Sequence, residues 1–135
     1  MKKNLSLYFL FLIALFNSAF SYDIDKSGIV QPMSPPKLVN DFAVMLNSAD
    51  KQSLESKLLD YNNSTSTQIY IVTIESLGNY AVEDYALQVG RSWGIGQKDK
   101  NNGILILISK EDRKIDIEVG YGLESYVTDY DSKRI

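Results

Sequence analysis

Behind Asn47-Ser48 and Asp50, a polar N-cap pair with an acid in the first turn, Leu54, Leu58 and Tyr61 recur at i, i+4 and i+7. Leu59 widens the stripe, and the spacing predicts a helix that the Asn62-Asn63-Ser64 cluster ends. The β-branched and aromatic run Gln68 to Ile74 follows, long enough for a strand and too short for a helix. After a turn at Leu77-Gly78-Asn79, helical spacing returns at Val82, Tyr85, Ala86, Val89 and Trp93, with Gly94 as the stop. Tyr85 and Trp93 lie on that stripe and read as core. Ile104 to Ile108 is apolar at every position, the mark of a central strand covered on both faces. Lys110 to Arg113 turns the chain. Ile115, Ile117 and Val119 then alternate with Asp116 and Glu118, which predicts a half-buried hairpin strand with its acids in solvent.

The order helix, strand, helix, strand, strand predicts an α/β fold. Its first two strands are parallel through a right-handed crossover and its third is antiparallel. A further helix is expected from Asp129, because Thr128 and Asp131 are spaced as a capping box. Only seven residues of it are present, so the domain's last helical part is expected beyond Ile135.

The first 21 residues read differently. Lys2 and Lys3 precede an apolar run from Leu5 to Phe16, and Ala19-Phe20-Ser21 supplies small residues at both flanking positions. This is the tripartite pattern of a signal peptide cut before Tyr22, too short to span a bilayer comfortably. Residues 22–36 hold all three prolines, Pro32, Pro35 and Pro36, with Ser27, Gly28 and Ser34 between, and are expected to be an extended tether. The folded domain is expected over 37–135.

Composition narrows the chemistry. There is no Cys and no His, so disulfides, thiol chemistry, Ser-His or Cys-His catalysis and the usual zinc sites are closed. The whole chain carries −3; all 17 acids but only 12 of the 14 Lys and Arg follow Ser21, leaving −5. An acidic chain without a basic cluster is a poor nucleic-acid binder. What remains is carboxylate, amide, hydroxyl and backbone chemistry outside the cytoplasm, in a periplasmic or secreted protein.

Three glycine-rich spots, Gly94-Ile95-Gly96, Asn102-Gly103 and Gly120-Tyr121-Gly122, each read alone as a backbone turn rather than a nucleotide loop. Their order is more specific. Val39-Asn40-Asp41-Phe42-Ala43, then Trp93 to Gly96 leading into Asn101-Asn102-Gly103-Ile104, then Ile117 to Glu124 and Thr128-Asp129, resembles the TPM domain over roughly Pro36 to Ile135. In place of the family's usual Asp-Asn-Gly before the central strand, this chain has Asn101-Asn102-Gly103, one carboxylate fewer.

The resemblance implies a three-layer α/β/α sandwich with a mixed, mostly parallel sheet and a β-hairpin. For some members it implies divalent-cation binding and acid phosphatase activity. Carried over residue by residue, the candidate metal ligands are Asp41, Asn102, Glu124 and Asp129, hard oxygen donors suited to Ca²⁺ or Mg²⁺. Two functions compete. One is an exported, cation-binding module that meets a membrane or envelope protein partner in assembly or envelope maintenance. The other is a metal-assisted phosphatase acting on a phosphoester, with Asp41 or Asp129 as nucleophile or base.

Overall fold

The structure, a computed structural model, describes residues 22–127. The expected leader, the Thr128 capping box and Asp129 lie outside the described residues.

Four strands form one sheet in the order β1-β2-β3-β4: β1 (Val39–Asp41), β2 (Gln68–Ile74), β3 (Gly103–Ser109) and β4 (Lys114–Val119). The first three are parallel, and β4 returns antiparallel along β3. Helix α1 (Ser48–Thr65) joins β1 to β2, and α2 (Val82–Trp93) joins β2 to β3. This is the expected α/β fold with its hairpin.

Helix α1 begins as its sequence predicts. The Asn47 side chain accepts from the Asp50 amide at 2.8 Å and donates to the Asp50 carboxylate at 2.6 Å. It outruns the Asn62–Ser64 cluster and ends at Thr65, where Ser66 turns left-handed and its N–H reaches the Asn62 carbonyl at 2.8 Å. Helix α2 stops at Gly94 in the left-handed conformation, as expected.

The core lies on one sheet face. Val72 and Ile74 of β2 and Leu105 and Leu107 of β3 meet Val82, Tyr85, Ala86 and Val89 of α2, all buried. Strand alternation puts Thr73 and Asp41 on the opposite face, where Lys51 of α1 approaches the Asp41 carboxylate at 3.5 Å.

Two expectations need correction. Residues 22–31 are no free tether among the described residues: Ile29 and Val30 are each 1% exposed and belong to the core. Burying a residue of that size contributes about 1.5–3 kcal/mol, which outweighs the Pro/Gly/Ser-rich composition around them. The segment forms a strap. Ile24 bridges Val30, Tyr22 packs on Phe42, and three α2-side residues tie it down through hydrogen bonds: Tyr80 to Ser27, Tyr85 to Val30 and Gly28, and Trp93 to Val30.

The second correction concerns β4. Its register pairs Ile117 with Ile106 and Ile115 with Ile108, so the isoleucines share the face away from α2, where Ile115 is 50% exposed. Asp116 and Glu118 therefore stand beside Leu107 and Leu105, on the face that carries α2. Ile104, Ile106 and Ile108 are half-buried, so β3 is not equally covered on its two faces by the described residues.

Candidate functional site

Asp41 ends β1 with its side chain almost wholly enclosed. Oδ1 accepts from the Thr73 hydroxyl at 2.7 Å and the Met45 amide at 2.8 Å, and Oδ2 accepts from the Leu46 amide at 3.1 Å. The following loop winds around this carboxylate tightly enough to hold Val44 at φ +49°, a strained value for a β-branched residue. Burial alone pushes the Asp41 carboxyl up. The hydrogen bonds from Thr73, Met45 and Leu46 and the Lys51 charge outweigh it, and the pKa lies below the usual carboxylate value. Asp41 is a loop-organising anion.

Asn102 is also committed. Only 7% exposed, it accepts from the Gln97 amide at 2.9 Å and donates to the Ser66 carbonyl at 2.6 Å. It thereby clamps the loop after α2 to the end of α1. The Gly94–Asn102 loop, polar by composition, is held further by Gln68, whose side chain accepts from the Gly96 amide at 3.0 Å.

The four candidate oxygens do not form one coordination sphere. Asp41 is level with Thr73 on β2, whereas Asn102 precedes Gly103, which is level with Gln68. The interval from Gln68 to Thr73 spans about 17 Å at roughly 3.3 Å per residue. A Ca²⁺ ion holds its ligands at about 2.3–2.6 Å, so no single ion takes both. Glu124 lies at the Asn102 end, just past the 3₁₀ turn Tyr121–Leu123, and Asp129 is outside the described residues. Among the described residues, no group of three or more Asp or Glu side chains is arranged to hold a metal ion.

At that end the three glycine spots become one structure. A Cβ at Gly96 would sit 2.7 Å from the Gly103 nitrogen, and one at Gly122 would collide with the Lys100 carbonyl. The Gly122 amide donates to the Asn101 carbonyl at 3.1 Å and the Gly120 amide to the Gly103 carbonyl at 2.8 Å. Backbone rests on backbone, with no room for side chains. Gly122→Ala is therefore expected to destabilise by about 1–3 kcal/mol through overpacking. Gly90→Ala, with nothing within 4 Å of the added carbon, should instead stabilise α2 by roughly 0.5–1 kcal/mol. Thermal melting of the two variants checks both signs.

Beside this knot a cavity of about 420 Å³ opens between α2 and β4. Among the described residues that line it are Leu87, Gly90, Ile95 and Leu105, the acidic Glu83, Asp116, Glu118 and Glu124, and Arg91 and Tyr121. Of these only Glu124 was among the expected site residues. The alternation of β4 marks Asp116 and Glu118 as one set, and the register with β3 puts that set on the α2 face rather than in solvent.

The sequence of the TPM domain matches residues 39–135. Among solved structures, the N-terminal domain of a protein from P. gingivalis is similar at 34% identity with a TM-score of 0.67, over 73% of this chain and 62% of that one. The chain thus spans less than two thirds of that relative. The N-terminal domain of the cg2496 protein from Corynebacterium glutamicum aligns at 18% identity with a TM-score of 0.58, over 84% and 68%, a likeness of fold alone. No curated protein matches.

Proposed function

The chain belongs to the TPM domain family, and on that premise we propose that it is an exported binding module. It acts on a membrane or envelope protein partner, in assembly or envelope maintenance, with a bound Ca²⁺ or Mg²⁺ as a stabilising ligand. The observation that carries this reading over a phosphatase is the state of Asp41: both of its oxygens are engaged by Thr73, Met45, Leu46 and Lys51. A nucleophile must reach its substrate, and this carboxylate is enclosed and holds its own loop. The ligands we propose for the cation are Glu124 and Asp129, five positions apart in sequence.

The test uses protein recovered from the exported fraction, whose first residue is then Tyr22. Phosphoester turnover at pH 5–7, with and without Ca²⁺ or Mg²⁺, is expected to stay at the background of the Asp41→Asn variant. Calcium modules outside the cell bind at about 10⁻⁴–10⁻³ M, so roughly 5 mM Ca²⁺ stabilises the fold by about 1–2.3 kcal/mol. That raises the melting temperature by about 4 °C or more relative to NaCl of matched ionic strength. Glu124→Gln and Asp129→Asn should shrink the rise, and Asp41→Asn should not. Metal-dependent turnover abolished by Asp41→Asn would establish the phosphatase instead.

A further inference from the structure

The strap over residues 22–31 is bonded to itself and laid against the domain. Among the described residues, its main-chain hydrogen bonds to main-chain groups are all internal. The Asp25 amide donates to the Ile29 carbonyl at 3.0 Å, the Gly28 amide to the Asp25 carbonyl at 3.0 Å and the Gln31 amide to the Asp23 carbonyl at 2.9 Å. The Asp25 carboxylate closes the turn by accepting from the Ser27 and Ile29 amides. The domain holds the strap with aromatic side chains instead of a strand ladder. The Tyr80 hydroxyl donates to the Ser27 carbonyl and the Trp93 indole N–H to the Val30 carbonyl, both at 2.9 Å. The Tyr85 hydroxyl donates to the Gly28 carbonyl at 3.3 Å and accepts from the Val30 amide at 3.1 Å. All four bonds go to strap backbone, so they serve any sequence that lies there. Only Ile29 and Val30 go into the core, while Asp23, Asp25 and Lys26 are exposed. Aromatic donors on the backbone with apolar room for a few side chains are the means by which domains recognise extended peptides. Past the strap, Pro32 and the run Ser34 to Lys37 are exposed, a proline-rich connector that is fixed at Met33, whose amide donates to the Asn40 side chain.

We propose that the surface under the strap is a peptide-binding groove with the strap as its resident ligand. Its outside occupant is an extended segment of a partner protein that carries two adjacent β-branched residues. The groove stands on the contacts of the strap; only the identity of the partner as an envelope or membrane protein rests on the binding-module reading. A short tether holds the strap at an effective concentration on the order of millimolar, so a free segment of equal fit does not displace it below that. A second copy of this chain brings an identical strap and meets the same limit. A partner segment that adds contacts beyond the four backbone bonds does not, and the strap shields the apolar groove until such a segment arrives.

The experiment titrates residues 22–135 with a synthetic peptide copying residues 22–33 and follows the emission of Trp93, the chain's single tryptophan. With the unaltered chain, half-displacement is expected at a peptide concentration on the order of millimolar. Ile29→Ala weakens the resident strap, and the peptide should bind this variant at least tenfold more tightly. Binding should also return the red-shifted Trp93 emission to that of the unaltered chain and raise the melting temperature. The same peptide with alanine at the positions of Ile29 and Val30 should do neither. A second measurement needs no variant. In hydrogen exchange of the unaltered chain, the amides of Asp25, Gly28 and Gln31 should share one opening, at least tenfold less protected than those of Val72 and Leu105. Strap amides that exchange only together with those strands overturn the inference, and so does an Ile29→Ala chain that the peptide neither binds nor stabilises. Dimers of the unaltered chain at micromolar concentration would assign the groove to the strap of a second copy and overturn the partner segment. A calcium response without peptide binding ends this inference alone and leaves the binding-module reading standing. Peptide binding alongside metal-dependent phosphoester turnover does the reverse.

Discussion

Asp41→Ala is expected to lower the stability of the fold by about 3 kcal/mol, enough to bring the melting temperature down by about 12 °C or more. The carboxylate gathers the Thr73 hydroxyl and two loop amides on one buried anion, and a bond to a charged group is worth about twice a neutral one. Its removal strands the Thr73 hydroxyl among buried neighbours, while the Met45 and Leu46 amides can turn to water. The loop also loses what holds Val44 at positive φ, so the amides of residues 42–46 should lose hydrogen-exchange protection first. Asp41→Asn keeps the shape and one acceptor oxygen and should cost about half as much. The pH dependence follows from the lowered pKa: the stabilisation is complete above the unfolded value of 3.8 and disappears as the pH falls through the lower folded value. Denaturant titrations from pH 6 to 2 should therefore show an acid-side loss that is smaller in Asp41→Asn, where the carboxyls of Asp25 and Asp112, also held below the usual value, still contribute. A variant with unchanged melting temperature would mean that the carboxylate is not what organises this loop.

The sequence made the long elements legible because each has a period and a stop signal of its own. Gln68 to Ile74 is strand material throughout, and α2 runs from Val82 to its Gly94 stop as the apolar spacing indicates. Strand β1 escaped because two of its residues, Asn40 and Asp41, are polar and yet 0% and 3% exposed. Their burial is compensated at a distance. Asn40 donates to the Lys37 carbonyl and accepts from the Met33 amide, and Asp41 reaches Thr73 across to β2, contacts that no pattern in the chain announces. The face of β4 escaped for a different reason. Alternation says which residues travel together but not which set meets the helix, and that depends on the register with β3. The candidate site was legible as a set of motifs and not as a place. The glycine spots do converge, but Asp41 belongs to the other end of the sheet, since motif order along a parallel sheet carries no information about which strand end each motif occupies.

A chain beginning at Lys37 should lose far more than a disordered tether would. Without the strap, Ile29 and Val30 leave the core, forfeiting roughly 1.5–3 kcal/mol each in apolar burial. The loss falls on α2. Val30 accepts the Trp93 indole N–H at 2.9 Å, and its own amide donates to the Tyr85 hydroxyl at 3.1 Å. Burial already raises the Tyr85 pKa, the mark of a phenol in an enclosed setting. Water reaching the vacated groove can satisfy these two polar groups, but it would also wet the apolar surface around Val89 and Val72, both 0% exposed. Adding the two burial terms gives a loss on the order of 3–6 kcal/mol, comparable with the total stability of a domain this size. The shortened chain is therefore expected to melt broadly or to bind hydrophobic dyes, with Trp93 emission shifted to the red of the chain starting at Tyr22. Ile29→Ala with Val30→Ala, in the chain starting at Tyr22, separates side-chain burial from backbone pairing. It should reproduce most of the loss, because the alanine chain still offers Trp93 and Tyr85 the same carbonyl and amide. A chain from Lys37 that melts at the temperature of the chain from Tyr22 would return residues 22–31 to the status of a linker.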